Sequence, residues 1–158
     1  AGAAPVGLPA AETYTSVDKG VVDAADFSSY TMNDSVGFHQ IAKYPIYPGI
    51  HSMPIIQFTV NKAAYDALDE SLQVTLDVWY QAMINDLRLR NDISDREVVA
   101  RDQADPEIEV IDWSQEERDK FRAIAREAWA EYVAGDPLAE KALQTNIDFM
   151  KRVGLLAQ

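Results

Sequence analysis

Cysteine is absent from all 158 residues, which excludes disulfides, thiolate metal sites, iron–sulfur ligation and cysteine nucleophiles together. The absence does not fix the compartment, because a reduced cytosol and an oxidising periplasm both tolerate thiol-free chains. Basic charge is scarce: 14 Lys and Arg stand against 26 Asp and Glu, a net charge of −12. Residues 1–87 hold three lysines and no arginine. Nucleic acid and anionic membrane surfaces both require a basic face, so neither is expected as a partner. Long apolar runs are also missing, and none approaches the roughly 18 residues that would span a bilayer. The uncharged start, residues 1–11, lacks a basic region and is broken by Pro5 and Pro9, so it does not read as a signal peptide. Nor is there a Gly-x-Ser-x-Gly elbow, a phosphate-cradling glycine loop or a dinucleotide fingerprint. Nothing assembles a nucleophile, a base and an orienting group, and catalysis is the weaker class.

What is present suits one globular unit. The chain is 47% apolar and 25% charged, with three Trp, seven Tyr and five Phe for a core. No linker or repeat divides it, so residues 1–158 are expected to form a single α/β unit. Short apolar runs at Ala4–Leu8, Val21–Ala25, Tyr44–Tyr47, Pro54–Asn61 and Ile108–Ile111 read as strands. Tyr14 and Val17 mark a helix over 10–19, which Gly20 ends. Asp26–Asp34 reads as a polar loop, followed by a helix from Asn33 or Asp34 to Ala42 that turns Val36, Phe38 and Ile41 inward. Pro48-Gly49 makes a turn.

Beyond Asn61 the pattern is helical. Leu72, Leu76, Trp79, Tyr80, Met83, Ile84 and Leu87 form one apolar stripe, and a polar continuation runs from Arg88 to the Pro106 break. Ser114 with Glu117 is a capping box, and Asp136-Pro137 opens a last helix that stops at Gly154. Trp79, Trp113 and Trp129 are expected in the core.

Among residues able to carry chemistry, His39 reads as a surface or half-buried histidine beside Phe38. His51 follows a turn at a strand edge, where polar side chains point into clefts. Asp23, Asp26 and Asp34 match no calcium loop; Asp34 is expected as a helix N-cap.

Five pieces in order carry a resemblance: Gly20-Val-Val-Asp-Ala-Ala-Asp26, Lys43-Tyr44, Tyr47-Pro-Gly49 with His51, Val60-Asn61-Lys62, and Leu68 to Leu72-Gln73. Over roughly residues 2–153 the chain resembles the C-terminal half of the extracytoplasmic solute-binding subunit of tripartite ATP-independent periplasmic (TRAP) transporters, the DctP family. The resemblance implies one lobe of a periplasmic-binding-protein-like two-lobed α/β fold. A long spine helix, packed heavily on its own lobe over 72–87 and lightly over 88–105, and a helical C-terminal half complete it. It implies a periplasmic receptor that captures a small organic acid, hands it to the TRAP membrane permease subunits and performs no chemistry. It implies ligand contacts at Asp26, Phe27, Ser28, Tyr30 and His51, with no catalytic residue and no cofactor; Met53 is expected to add to the apolar wall of that cleft and Ser52 to its sparse polar groups, and no metal is expected. The family's carboxylate-clamping arginine falls before Ala4, so the N-terminal lobe is expected upstream of Ala1. A glutamate that holds a metal in some members has no counterpart in Ile50–Pro54. Two other readings stand beside this one: a small α/β enzyme using His51 with Asp26 on a carboxylate, and a homodimer built through the C-terminal helix.

Overall fold

The computed structural model describes residues 2–50 and 57–156. The chain forms two compact units, one built on Pro5–Asp112 and the other on Trp113–Gln158 together with Ala1–Ala4.

In the first unit, helix α1 spans Ala10–Asp18 and closes as expected at Gly20, whose φ of +65° is the left-handed conformation a helix end favours. Gly20 N donates to Val17 O at 3.0 Å and Val21 N to Ser16 O at 2.8 Å. This Schellman closure explains why Val21–Ala25 is not a strand. The amides of Val21 and Val22 both turn back to Ser16, leaving no ladder for them to join.

The expected polar loop Asp26–Asp34 contains a helix instead. α2 covers Tyr30–Ser35, capped by the Ser29 hydroxyl, which accepts from Met32 N. Gly37, at φ +89°, breaks it from α3, Phe38–Ile41. A Cβ at Gly37 would also lie 3.2 Å from the Tyr14 ring, so both backbone and space demand glycine. Asp34 therefore lies inside α2 rather than capping a helix. Of the three residues expected inward, Phe38 is buried, Ile41 is half-buried and Val36 stays exposed.

No strand forms among the described residues, so the α/β expectation is not confirmed. Tyr44–Tyr47 and Ile108–Ile111 do meet, but only in one parallel bridge between Ile46 and Ile111. Three hydrogen bonds of 2.8–2.9 Å hold it: Glu109 N to Lys43 O, Ile111 N to Pro45 O and Tyr47 N to Ile111 O. Prolines at 5, 9, 45 and 48 remove donors from the extended runs, and Val6, Val21 and Phe58 remain exposed.

After α4, Lys62–Asp66, a single helix α5 runs for 35 residues over Glu70–Ala104, about 50 Å in length. The Asp69 carboxylate caps it by accepting from Leu72 N. Its packing reverses the expectation. The buried residues of α5 are Val99 and Asp102, both in the polar continuation, whereas Leu72 and Trp79 of the apolar stripe are about half exposed at 48% and 46%. The core of the unit gathers there: Tyr30 and Phe38 with Val99, and Phe38 flanked by Tyr14 and Phe27 at ring distances of 5.8 and 5.3 Å.

The second unit is an αα-hairpin. α6, Gln115–Val133, begins with the full capping box read from Ser114 and Glu117. α7, Pro137–Arg152, starts at Asp136, whose carboxylate accepts from Leu138 and Ala139, and closes at Gly154 by the same Schellman bonds as α1. Trp113 stacks edge-on against Phe121 at 5.8 Å, but Trp129 is not a core residue and remains half exposed. No helix among the described residues is long and apolar enough to cross a membrane.

Candidate functional site

Among the described residues of the first unit one side chain is fully buried, and it is charged: Asp102, at 0% exposure in the last turn of α5. An isolated carboxylate there would cost several kcal/mol, on the order of an unpaired buried charge, unless hydrogen bonds replaced its water. They do. Its Oδ1 accepts from Arg101 Nε at 3.0 Å and Nη2 at 2.6 Å. Its Oδ2 accepts from the Tyr30 hydroxyl at 2.9 Å and from His39 Nδ1 at 2.8 Å. With Asp102 ionised and accepting, His39 Nδ1 must carry the proton of that bond.

Arg101 continues the network outward. Its Nη1 and Nη2 clasp Asp34 at 3.0 and 2.6 Å in a two-pronged pair, joining α2 to α5. Seven residues before Asp102, two turns along the same face of α5, Asp95 Oδ1 accepts from both Thr31 N at 2.8 Å and Thr31 Oγ1 at 2.6 Å. α2 is thereby docked on α5 at its first turn, by its first side chain and at Asp34.

Burial works against the Asp102 charge, but hydrogen bonds from Arg101 and Tyr30, together with the positive charge beside it, hold its carboxyl below the usual carboxylate range. Burial and then the Asp102 carboxylate push the Tyr30 phenol well above its usual value. The paired aspartates, Asp34 first and then Asp102, raise the Arg101 guanidinium further.

Asp34, His39 and Asp102 each present a ligand atom within 4.8 Å of the others, a donor set of the kind that holds a divalent cation. The guanidinium of Arg101 already engages both carboxylates, and any metal there would have to displace it.

Of the ligand residues implied by the resemblance, Asp26, Phe27, Ser28 and Tyr30 lie in α2 or the segment just before it. Asp26 is exposed in the segment leading into α2. Phe27 lies half-buried against Phe38. Ser28 exchanges hydrogen bonds with the Asn33 side chain, its N donating to Oδ1 at 2.9 Å and its carbonyl accepting from Nδ2 at 3.3 Å. Tyr30 is buried within the network itself. His51, Ser52 and Met53 lie outside the described residues.

Sequence reasoning missed His39, which is 4% exposed rather than half-buried, and read Asp95, Arg101 and Asp102 only as part of a polar, lightly packed stretch. A signal was available. Leu87, Asp95, Val98, Val99 and Asp102 share one helical register, so two acids sit where apolar residues belong. A charge in an apolar register calls for a buried partner.

The family model described as DctP, bacterial extracellular solute-binding protein, family 7, matches residues 1–136. A crystal structure of a TRAP periplasmic solute-binding protein from Rhodobacter sphaeroides, in an apo open state, is 40% identical. It superposes over 99% of this chain and 50% of its own, with a TM-score of 0.75. A second TRAP periplasmic solute-binding protein, from Pseudoalteromonas atlantica T6c with bound sodium and pyruvate, is 24% identical. It covers 98% of this chain and 47% of its own at a TM-score of 0.76, a likeness of fold. The chain thus spans about half the length of the solved structures it matches.

Proposed function

The chain belongs to family 7 of the bacterial extracellular solute-binding proteins, and from that membership we propose that it serves in the periplasm as part of the solute-binding component of a TRAP transporter. The observation that carries the reading is 40% identity, over 99% of this chain, to a TRAP periplasmic solute-binding protein. In this reading the protein captures a small organic acid and passes it to the membrane permease subunits, without chemistry of its own. The 158 residues are the C-terminal part of a two-lobed receptor, and the second lobe supplies the clamp for the anion.

Asp26, Phe27, Ser28, Tyr30, His51, Ser52 and Met53 are proposed for the ligand side, an apolar wall with sparse polar groups, as small-molecule clefts generally are. Support comes from the way Phe27 and Ser28 are held: one by Phe38, the other by Asn33. A homodimer through α7 fits its exposed apolar residues, among them Leu138 and Phe149.

The test is a titration of the full 158-residue chain with small carboxylates, pyruvate first, followed by amide NMR. Saturable shifts centred on residues 26–28, with affinity no better than millimolar, are expected, because the clamp is outside this chain. Phe27→Ala should weaken the response by about 1–3 kcal/mol through lost apolar contact, and lower the melting temperature as well, because the same ring packs on Phe38. Absence of any carboxylate response at residues 26–28 would sink the proposal.

A further inference from the structure

Tyr30 is the ligand-side residue with the least to offer a solute. Its hydroxyl donates to Asp102, and its ring is flanked by His39 at 4.5 Å and Tyr47 at 5.4 Å. At 6% exposure it has no free polar atom to present. What it does hold is α2, and α2 holds the segment before it.

The connection can be followed bond by bond. Asp95 fixes the first turn of α2 through both the amide and the hydroxyl of Thr31. Asp102 fixes the first residue of α2 through Tyr30, and the neighbouring helix α3 through His39. From within α2, Asn33 reaches back and closes a two-way pair with the backbone of Ser28. Phe27 rests on Phe38, the residue next to His39. The path runs from α5 to α2 and α3, and from those helices to residues 27 and 28. Every link is a hydrogen bond or ring contact within the same unit.

We propose that Tyr30, Asn33, Asp95 and Asp102 are positioning residues, which set the backbone of the ligand-contact segment Asp26–Ser28 and do not themselves touch the solute. The proposal rests on the functional reading given above and narrows its site. It differs from a purely structural role in what it requires of ligand selectivity. A residue that contacts the group in which two solutes differ discriminates between them, whereas one that orients the segment affects both alike.

The experiment compares the full chain with Tyr30→Phe and Asn33→Ala. Asn33 is only half-buried, so its variant keeps the fold even if Tyr30→Phe does not. Hydrogen exchange at the Ser28 amide should quicken at least tenfold in Asn33→Ala, and exchange over residues 26–36 should quicken in Tyr30→Phe. Exchange in α6 should not change in either. Titrated with pyruvate and with lactate, which differ by a carbonyl against a hydroxyl, each variant should lose at least threefold in affinity, by the same factor for both acids. Unequal losses would make Tyr30 or Asn33 a solute contact and overturn the proposal. So would unchanged exchange at Ser28, or exchange that rises evenly across residues 5–112, the mark of general destabilisation. If the unmodified chain responds to neither acid, the functional reading fails, and exchange at Ser28 alone decides whether the network sets this segment.

Discussion

Asp102 accepts every hydrogen bond a buried carboxylate needs, so its removal leaves three side chains without their common partner. Asp102→Ala should cost about 3–5 kcal/mol in urea unfolding, as breaking a buried charged pair does. Tyr30→Phe, which deletes one hydroxyl from the same set, should cost about 1–2 kcal/mol. The pH dependence follows from the two displaced acids. The carboxyl of Asp102 is held low in the fold, so its stabilisation is complete above about pH 4 and fades as pH falls through the depressed folded value. The phenol of Tyr30 is held high, so its contribution is complete below about pH 10 and fades as pH rises past that point. Unfolding midpoints measured from acid to alkali should show both limbs. Asp102→Asn should flatten the acid limb and Tyr30→Phe the alkaline one. An alkaline limb that survives intact in Tyr30→Phe would assign it to another group.

Along α5, stability is concentrated where the sequence looked least able to supply it. Val99→Ala should cost about 2 kcal/mol, because Val99 is only 7% exposed. Leu89→Ala, at a residue 66% exposed, should cost under about 0.5 kcal/mol. A loss at Leu89 as large as that at Val99 would show that burial does not set where α5 is anchored. In α6, Ser114→Ala should remove about 1 kcal/mol by undoing half of the capping box, seen as faster exchange in its first turn. The helix ends were legible because caps are local. Ser114 finds Glu117, Asp136 precedes Pro137, and Gly20 follows α1, all within a few residues. The network was not legible because its partners lie far apart: 63 residues separate His39 from Asp102, and 72 separate Tyr30. The strands failed for a similar reason. An apolar run becomes a strand only when a neighbour accepts its hydrogen bonds, and Val21 and Val22 gave theirs to Ser16.

For the molecule as a whole, a net charge of −12 works against the association that exposed Leu72, Val78, Trp79 and Leu138 favour. Self-association measured by light scattering should therefore grow as salt is raised toward about 1 M, where screening shortens to about 3 Å. Association that falls with salt would point to charge pairing instead. The family was legible in five short stretches of sequence, whereas the support beneath residues 26–28 needed three dimensions. That support sits at one end of α5, near Asp102, while Glu70 begins the helix some 50 Å away. A rod pivoted at one extremity is a lever. Turning α5 by about 5° at its fixed end would sweep the other through about 4 Å, over an arm of that length. Angular play too slight to break a hydrogen bond at the pivot becomes a full atomic diameter of travel at the tip, so the firmness of that pivot sets the precision of everything carried at the far end.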